Sequence, residues 1–354
     1  MKIFRIILLV INLLLAVGLL LTTLAPVVPP SRSILPSLLA FGYLPLLVAN
    51  VVMVVLWLLF GKWHFIWSVA AIALRWSFVG LFVQVGGTSK VPARDEHPQM
   101  VTVMSYNVHN FHGKDDRASQ TDTNVAAFLE LLREYQPDIL CLMEYSSSST
   151  VRLTDSLTML GYNHYHGAQG STTSPRGTVV FSKLPITYVK RIDHNMLLTE
   201  LMHEDQCIRL CCVHMDSYAL DSTDREEIEQ ILHGEMKQES QTLDKVKETV
   251  LKHESEWNEK LEPVVSESSL PMLLAGDFND IPSSWLYAQV SKYLDDTYRD
   301  KGIGICRTYN GNGFPQFRID YVFHSKEFQT LSYKRIKTDI SDHYPVMTSL
   351  ELTK

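Results

Sequence analysis

Six short strings in the C-terminal two thirds of this sequence contain residues that can bind a metal ion or move a proton. Each string is mainly apolar, as in a buried strand, and then gives way to polar side chains. The candidate residues are Asn107, Glu144, His214, Asp277 with Asn279, Asp320, and Asp342 with His343. Because sites are built where packed strands give way to loops, this arrangement predicts one polar cluster at the strand ends.

Phosphoester hydrolysis needs this combination of residue types. Water attacks while negative charge develops on the phosphoryl and leaving oxygens, so the site needs a hard cation and positioned hydrogen-bond donors. Magnesium prefers few carboxylates and keeps several waters, which suits Glu144 as the main ligand with Asn107 beside it. Asp277 and Asn279 are two residues apart and can face the same side of a strand end. Asp320 can fix the tautomer of its partner histidine and favour the charged form.

The strings SYNVHNF, DILCLMEY, LCCVHMDS, LLAGDFND, FRIDYVFHS and SDHYPV resemble, in order and character, the endonuclease/exonuclease/phosphatase superfamily. That superfamily includes pancreatic-type deoxyribonucleases, abasic-site endonucleases, neutral sphingomyelinases and inositol-polyphosphate phosphatases. The resemblance covers essentially all of residues 99–352, although any one string alone would be weak evidence. It implies an α+β fold: a four-layer α/β sandwich of two packed mixed β-sheets flanked by helices.

The resemblance also implies roles for individual residues. Asp277 resembles the carboxylate that orients or deprotonates the attacking water, and Asn279 resembles the donor that binds the phosphoryl group. His343 resembles the histidine that contacts the scissile phosphate. His214 is expected to be a general acid or a phosphate ligand, with a structural histidine as the alternative. Asp342 is expected to contribute to the metal site, directly or through water, and the implied cofactor is Mg²⁺ or Mn²⁺.

Two arginines are candidate contacts for substrate phosphate. Arg176 lies in the string SPRGTVVFSKLPI, which resembles an arginine-containing segment of the same superfamily. Arg318 directly precedes the Ile-Asp-Tyr strand. Either one could equally be a surface arginine.

The first 86 residues are predicted to be a membrane anchor. Residues 6–31 and 33–61 carry no charged side chain, and each run exceeds the roughly 20 residues that a helix needs to cross a bilayer. We therefore expect transmembrane helices at about 6–28 and 34–60, and a third at 63–85 that has Arg75 near its middle. The first run could instead be a signal peptide, but it is long and has no Ala-x-Ala cleavage pattern.

Three spans would place the chain termini on opposite sides of the membrane. With the N-terminus inside, Lys2, Arg5 and Lys62 lie inside and Arg32, Lys90 and Arg94 outside, so the positive-inside rule is nearly tied. A short basic N-terminus that precedes the first helix usually stays inside. We therefore expect an integral protein of the cell membrane with an extracytoplasmic catalytic domain.

The rest of the chain divides into a linker and one catalytic domain. Residues 87–98 are rich in proline and charge, and the domain is expected over 99–354, with strands near 101–108, 138–144, 178–182, 208–214, 272–277, 319–324 and 345–352. An amphipathic helix should begin at Thr121 or Asp122 and end before Pro137. A second, highly charged helical segment is predicted over 222–262.

The net charge of the catalytic domain says more about the class of substrate than the motifs do. The chain has 32 basic and 39 acidic residues, and all but seven of the basic and two of the acidic ones lie in 97–354. That net charge of about −12 lacks the basic footprint of a duplex-DNA binder, although a turnover nuclease remains open because its metal supplies local positive charge. The predicted function is therefore metal-dependent phosphoester hydrolysis, nuclease-like or phosphodiesterase-like, by a membrane-tethered enzyme.

Several alternatives stay open at this point. The substrate could be nucleic acid, a phospholipid headgroup or a small phosphoester, and the reaction could be phosphomonoester hydrolysis. The chain could also be a catalytically silent membrane-anchored binding module, which the intact set of site residues disfavours. A transporter or sensor fused to a hydrolase is a third possibility, and the few polar residues in the apolar segments favour a simple anchor. The lipid bilayer is the expected partner of the N-terminal helices, and no protein partner is predicted.

Overall fold

The structure of the chain, a computed structural model, describes residues 2–146, 151–168, 177–220, 223–224, 227, 240–311 and 317–353. The described α-helices are α1 (Lys2–Leu21), α2 (Leu35–Phe41), α3 (Tyr43–Leu59), α4 (Ile66–Leu74), α5 (Trp76–Phe82), α6 (Thr121–Tyr135), α7 (Val151–Met159), α8 (Gln241–Glu256), α9 (Glu262–Ser266), α10 (Trp285–Val290) and α11 (Thr297–Lys301). The described strands are β1 (Val83–Gln84), β2 (Met100–Asn107), β3 (Ile139–Tyr145), β4 (His164–Ala168), β5 (Gly177–Ser182), β6 (Ile186–Arg191), β7 (Met196–His203), β8 (Gln206–His214), β9 (Met272–Asp277), β10 (Asp295–Asp296), β11 (Gly304–Ile305), β12 (Asp320–His324), β13 (Phe328–Arg335) and β14 (Val346–Leu352).

The chain forms two compact units. The first, here called the helical unit, comprises Met1–Phe82, Tyr218–Trp257 and Asp280–Lys292. The second, the sandwich unit, comprises Val83–Ser217, Asn258–Asn279 and Tyr293–Lys354. Two segments that the sequence assigned to the catalytic domain therefore cluster with the N-terminal helices.

Within the helical unit, α1, α3 and α4 contact one another through polar as well as apolar side chains. Asn12 Nδ2 donates to the His64 carbonyl oxygen at 3.0 Å, and Asn12 Oδ1 accepts a hydrogen bond from Ser68 Oγ at 2.6 Å. Asn50 Nδ2 donates to the Leu15 carbonyl oxygen at 3.0 Å. The outward faces of these helices are strongly apolar. Exposed side chains there include Ile3, Phe4, Ile7, Val10, Leu14, Val17, Val48, Val52, Val55 and Leu59.

The prediction of three uninterrupted transmembrane helices needs correction. Within the described residues, one helix, Lys2–Leu24, is long and apolar enough to cross a membrane unaided. The other two segments are bent pairs, Leu35–Phe41 with Tyr43–Leu59 at 61° and Trp63–Leu74 with Trp76–Phe82 at 64°. The first bend lies at Gly42, which separates α2 from α3.

Arg75 is not in the middle of a continuous helix, as the sequence suggested. It caps the C-terminus of α4 with non-helical backbone angles, φ −123° and ψ 25°, at the break of the second bent pair. Its guanidinium lies 5.9 Å from the ring centroid of Phe78. A cation at a helix C-terminus also interacts favourably with the helix dipole, so this break accommodates the charge.

The charged segment predicted over 222–262 is helical from Gln241 onward. Ser240 Oγ accepts a hydrogen bond from Leu243 N and so caps α8, and a π-helical turn at Trp257–Leu261 links α8 to α9. Residues 221–222, 225–226 and 228–239 lie outside the described part, so the start of this segment is described only at residues 223–224 and 227. Helix α6 begins at Thr121, without a side-chain cap from Gln120.

Two six-stranded mixed sheets, flanked by helices, form the sandwich unit. One sheet has the order β10-β12-β9-β8-β7-β6 and the other β13-β14-β2-β3-β5-β4. In each sheet the two central strands are parallel, β8 with β9 and β2 with β3, and the remaining pairs are antiparallel. The predicted arrangement of two mixed sheets is therefore confirmed.

Side chains from both sheets fill the space between them. Val101, Ile139 and Cys141 from one sheet join Leu210 and Leu273 from the other in a single core cluster. A second cluster packs α6 and α7 against the outer face of the β2–β3 sheet, through residues such as Phe128 and Leu157. The alternation of side chains along each strand lets one sheet contribute to both clusters.

Gly276 allows the close approach of β8 and β9 immediately before Asp277. Its φ is +154°, and a Cβ added there would lie 1.8 Å from the Val213 carbonyl oxygen. We expect Gly276→Ala to lower the free energy of unfolding by at least about 2 kcal/mol, because backbone strain and overpacking add. Denaturant titration of the detergent-solubilised protein, followed by tryptophan fluorescence, measures this loss.

Gly167→Ala in β4 is the matched control. A Cβ at Gly167 meets nothing nearer than 3.5 Å, so this change should be close to neutral. Equal stability of the two variants would contradict the assigned role of Gly276.

Candidate active site

The registers of one sheet bring three predicted residues side by side. His214 is opposite Asp277 in the parallel β8–β9 pair, and Asp320 is opposite Asp277 in the antiparallel β9–β12 pair. Asp277 thus lies between a histidine and a second carboxylate at one edge of the sheet. The sequence could not reveal this order, because β12 is more than 40 residues from β9 along the chain.

The other sheet contributes Asn107 and Glu144 through its own parallel pair. Asn107 is opposite Met143, so Glu144 follows directly beyond the paired residues. Glu144 has φ +51°, a left-handed conformation that is uncommon for a residue other than glycine. The register of β3 with β5 also shifts between Leu142 and Tyr145. This irregularity ends the regular ladder at Glu144, as is often seen beside functional sites.

Asn107 joins the two sheets at this edge. Its Nδ2 donates to Glu144 Oε1 at 3.1 Å and to Asp277 Oδ2 at 3.0 Å. Its Oδ1 accepts a hydrogen bond from His109 N at 3.1 Å. In this arrangement the amide nitrogen faces the carboxylates. Metal ligation through Oδ1, the role predicted from sequence, would require the amide to rotate.

Asp320 and His343 form the pair expected from the sequence. His343 Nδ1 lies 2.9 Å from Asp320 Oδ2, and His343 Nε2 lies 3.6 Å from Asp277 Oδ2. Burial disfavours the charged imidazole, but Asp320 and then Asp277 outweigh it and raise the pKa of His343 well above its usual value. The pair therefore presents an imidazolium, which can donate a hydrogen bond to an anion.

Asp277 is fully buried, and its environment shifts its pKa toward neutrality. Burial and the nearby Asp320 carboxylate raise the pKa of Asp277 to about 6, against the opposing influence of His343, His214 and the Asn107 amide. Asn279 N donates to Asp277 Oδ1 at 2.8 Å, and Asn279 Nδ2 donates to the Met215 carbonyl oxygen at 2.9 Å. A carboxylate with a pKa close to the working pH is well suited to accept a proton.

Glu144 has the opposite electrostatic character. Burial raises its pKa, but His214, His109 and the hydrogen bond from Asn107 outweigh burial and bring the pKa of Glu144 to about 2. Its side chain remains 22% exposed, whereas that of Asp277 is 1% exposed. Glu144 is thus a permanently ionised carboxylate within reach of solvent.

His214 is aimed between these two carboxylates without bonding to either. Its Nε2 lies 3.8 Å from Glu144 Oε1 and 3.9 Å from Asp277 Oδ2. Among the described residues this buried nitrogen has no hydrogen-bond partner, and neither does Asp320 Oδ1. Both atoms therefore retain the capacity to form a hydrogen bond with a further polar group.

Two groups of side chains in the described residues could hold a cation. The tightest cluster of ligand atoms is Asp277, Asp320 and His343, which lie within 4.8 Å of one another. The predicted ligands Glu144 and Asp342 lie elsewhere at the same edge, with side chains 22% and 19% exposed.

The structure also places residues that the sequence left unassigned. His109 Nδ1 lies 3.3 Å from Asp342 Oδ1, although its loop position gave no signal of this contact. Ser341 Oγ donates to the Asn107 carbonyl oxygen at 2.8 Å and accepts from His343 N at 3.2 Å. The serine two residues before a histidine is typical of a hydroxyl-capped turn, so Ser341 could have been found from sequence.

Of the two predicted arginines, the structure describes only Arg318. Arg176 lies outside the described residues. Arg318 is 3% exposed, donates to Asp296 Oδ2 at 2.8 Å, and has its guanidinium 4.4 Å and 4.6 Å from the ring centroids of Tyr298 and Tyr321. Its Nη1 and the faces of its guanidinium are thus engaged inside the sandwich unit, so Arg318 is not a surface arginine.

Comparisons with known proteins show what the chain is similar to. Residues 104–217 and 256–343, more than half of the chain, match the Endonuclease/Exonuclease/phosphatase family. Residues 4–82 match a domain of unknown function. A search of curated proteins finds no match.

Solved structures share the fold at low sequence identity. An endonuclease/exonuclease/phosphatase from Beutenbergia cavernae DSM 12333 is 19% identical with a TM-score of 0.50, over 72% of this chain and 72% of that chain. ANGEL2, described as a 2',3'-cyclic phosphatase, is 17% identical with a TM-score of 0.51, over 72% of this chain and 96% of that chain. These likenesses establish the fold of the sandwich unit.

Proposed function

Because the chain belongs to the endonuclease/exonuclease/phosphatase family, we propose that it is a divalent-metal-dependent phosphoester hydrolase, with phosphodiesters preferred, held in a membrane by its N-terminal helices. The observation that carries the proposal is the contrast between two neighbouring carboxylates. Asn107 bridges Glu144, whose pKa is lowered to about 2, and Asp277, whose pKa is raised to about 6. One is suited to hold a cation and the other to accept a proton.

Glu144 and Asp342 would hold Mg²⁺ or Mn²⁺, with Asn107 as a further ligand if its amide rotates. Both carboxylates are partly exposed, which leaves room for the waters that a small hard cation retains. The cation would supply positive charge against the charge that builds on the phosphoryl oxygens. Arg176, which the structure does not describe, remains a proposed contact for the substrate phosphate.

The remaining residues act on the water and the phosphate. Asp277 accepts the proton of the attacking water, and Asn279 contributes its amide toward the phosphoryl group. His343 donates a hydrogen bond to a phosphoryl oxygen while Asp320 holds its ring. His214 Nε2, which lies close to both carboxylates, binds the phosphate or protonates the leaving oxygen.

Membrane insertion is supported by the distribution of polarity in the helical unit. Asn12, Asn50 and Ser68 are fully buried between helices, while large apolar side chains such as Ile3 and Leu14 are 75% and 67% exposed. A water-soluble bundle has the reverse arrangement. Polar side chains that bond between helices, with an apolar exterior, are typical of helices packed within lipid.

Contacts within the helical unit support three crossings. Asn50 lies beside Leu15 and Phe60 beside Phe4, so α3 runs antiparallel to α1 over nearly its whole length. Ser31, in the link after α1, donates through N and Oγ to the carboxylate of Glu254 in the charged helix α8, at 2.6 and 2.7 Å. The link after α1 and helix α8 therefore lie on the same side of the membrane. Because α3 ends on the opposite side, the chain must cross a third time before it reaches α8.

The hydrolase proposal is tested with full-length protein in detergent or vesicles. The panel is a chromogenic phosphodiester, a phosphomonoester, single- and double-stranded nucleic acid, a nucleoside 2',3'-cyclic phosphate and phospholipid vesicles, each with Mg²⁺ or Mn²⁺ and with chelator. We expect hydrolysis that stops with chelator. Glu144→Ala should weaken the apparent metal affinity at least about 10–100-fold, since loss of even an outer ligand has that effect.

Glu200→Ala is the matched control for that variant. Glu200 is also a strand glutamate, with a side chain 19% exposed, but it pairs with Arg209 instead of the site residues. Full activity in Glu144→Ala, or no hydrolysis anywhere on the panel, would overturn the proposal.

The raised pKa of Asp277 predicts an acidic limb in the pH profile. A carboxyl with a raised pKa stays protonated to higher pH, and only its ionised form accepts a proton, so kcat/KM should fall tenfold per pH unit below about pH 6. A bound cation favours the ionised form and moves this limb to lower pH. Asp277→Asn should lose about 10²–10⁴-fold in kcat and also lose the limb.

Thermal unfolding of Asp277→Asn distinguishes a chemical defect from a folding defect. Asparagine keeps only one of the two side-chain acceptors that bind Asn107 Nδ2 and Asn279 N, so a moderate loss of stability is expected, and the loss of kcat is assigned to chemistry only if the variant is folded at the assay temperature. An unchanged acidic limb in a variant that retains activity would rule out Asp277 as the base.

Three crossings predict which positions react from the same side. Single cysteines at Arg32, Lys62 and Glu96 in a Cys207→Ser background can be labelled with a membrane-impermeant maleimide in intact cells. If the catalytic part is extracytoplasmic, Arg32→Cys and Glu96→Cys should react in intact cells and Lys62→Cys only after lysis. Labelling of Lys62→Cys together with Arg32→Cys would exclude three crossings, and the reverse pattern of labelling would place the catalytic part inside.

A further inference from the structure

A short segment outside the predicted motifs contacts both members of the His343–Asp320 pair. It is Thr308–Asn310, in the string RTYNG, and it lies within the sandwich unit. Thr308 is fully buried and Asn310 is 5% exposed. Its contacts reach the start of β12 on one side and the Asp342–Tyr344 loop on the other.

Toward β12, the hydroxyl of Thr308 fixes the backbone that carries Asp320. Thr308 Oγ1 accepts hydrogen bonds from Ile319 N and from Asp320 N, both at 3.0 Å. Asp320 is the first residue of β12, and its carboxylate bonds to His343 Nδ1 at 2.9 Å. The Thr308 hydroxyl therefore sets the point from which the Asp320 side chain extends.

Toward the histidine loop, backbone hydrogen bonds enclose His343. Asn310 N donates to the Asp342 carbonyl oxygen at 2.6 Å, and Tyr344 N donates to the Thr308 carbonyl oxygen at 2.7 Å. Tyr309 and His343 are opposite each other in an isolated antiparallel bridge. The segment therefore pairs with the residues immediately before and after His343.

The ring of Tyr309 also packs against the imidazole. The two ring centroids are 5.2 Å apart at an interplanar angle of 70°, an edge-to-face contact. Gly311 makes this position of the ring possible, because a Cβ at Gly311 would lie 2.1 Å from Tyr309 Oη. The imidazole is thus held by Asp320 at Nδ1 and by an aromatic ring beside it.

We propose that Thr308 and Tyr309 are positioning residues that fix the His343–Asp320 pair, Thr308 through the Asp320 backbone and Tyr309 through the imidazole ring. This inference rests on the proposed hydrolase function. Neither residue needs to touch the substrate. Small displacements of a catalytic group can cost on the order of 100-fold in rate, which gives such positioning a measurable effect.

Full-length Thr308→Val and Thr308→Ser variants separate the hydroxyl from the packing. Valine keeps the shape but removes the acceptor, so we expect kcat to fall about 10–100-fold with KM within about twofold, the pattern of a defect in the transition state alone. Serine restores the acceptor and should recover activity to within a few-fold of wild type. Thr199→Val is the matched control, because Thr199 is equally buried and its hydroxyl bonds to the Leu210 carbonyl oxygen.

A second pair of variants changes Tyr309, which is only partly buried. Tyr309→Phe keeps the ring and should retain kcat, whereas Tyr309→Leu removes it and should lower kcat with little change in KM. Equal kcat in Thr308→Val and Thr308→Ser, together with full kcat in Tyr309→Leu, would overturn the proposal.

Amide hydrogen exchange tests the positioning independently of any activity. In Thr308→Val, peptides covering residues 317–324 and 341–346 should exchange faster than in Thr308→Ser or Thr199→Val. If the wild type hydrolyses nothing on the panel, the hydrolase proposal fails while the exchange data still decide the positioning. Unchanged exchange in Thr308→Val would show that the hydroxyl does not hold the pair.

Discussion

The arrangement of this site depends on one buried carboxylate, that of Asp277, which lies where residues of the two sheets meet. Asp277 ends β9 with its side chain fully buried, where an ionised group without partners would be strongly destabilising. The fold supplies partners from several directions: the Asn107 amide, the Asn279 backbone N–H and the His343 imidazole. Much of the geometry at this edge can be understood as the means of keeping that one group ionisable.

Asn107 has a special place among these partners because it belongs to the other sheet. By donating to both Asp277 and Glu144, a single amide sets the separation of two carboxylates that would otherwise repel. The imidazoles of His214 and His109 then keep Glu144 ionised, while burial and Asp320 keep Asp277 near its point of titration. Two carboxyl groups therefore acquire different pKa values from their surroundings alone.

The N-terminal helices also provide partners for their buried polar groups. Polar side chains such as Asn12 and Ser68 bond to each other between helices, and apolar ones face outward. The link after α1 is tied to the charged helix α8 through Ser31 and Glu254. Helix α8, which comes from the polar part of the sequence, therefore belongs to the same compact unit as the apolar helices.

Much of the fold and of the candidate site was predictable from the sequence. Strand-end residues such as Asn107 and Glu144 are marked by apolar runs that end in polar side chains, and the apolar segments before residue 86 are marked by their lack of charge. These signals are local, since they depend on neighbours along the chain. The pairing of Asp320 with His343 was also predicted, because their order matched a known constellation, and the structure places them 2.9 Å apart.

Only the tertiary structure decided the properties that depend on distant neighbours. From the sequence, Arg318 could equally have been a phosphate contact or a surface arginine, and the structure places it beside Asp296 and two tyrosines inside the sandwich unit. The bends near Gly42 and Arg75, and the contact of Thr308 with the Asp320 backbone, leave no periodic pattern in the sequence. Composition and spacing determined which groups are available, whereas burial and strand register determined which groups meet, because solvation and distance are set by the packed chain.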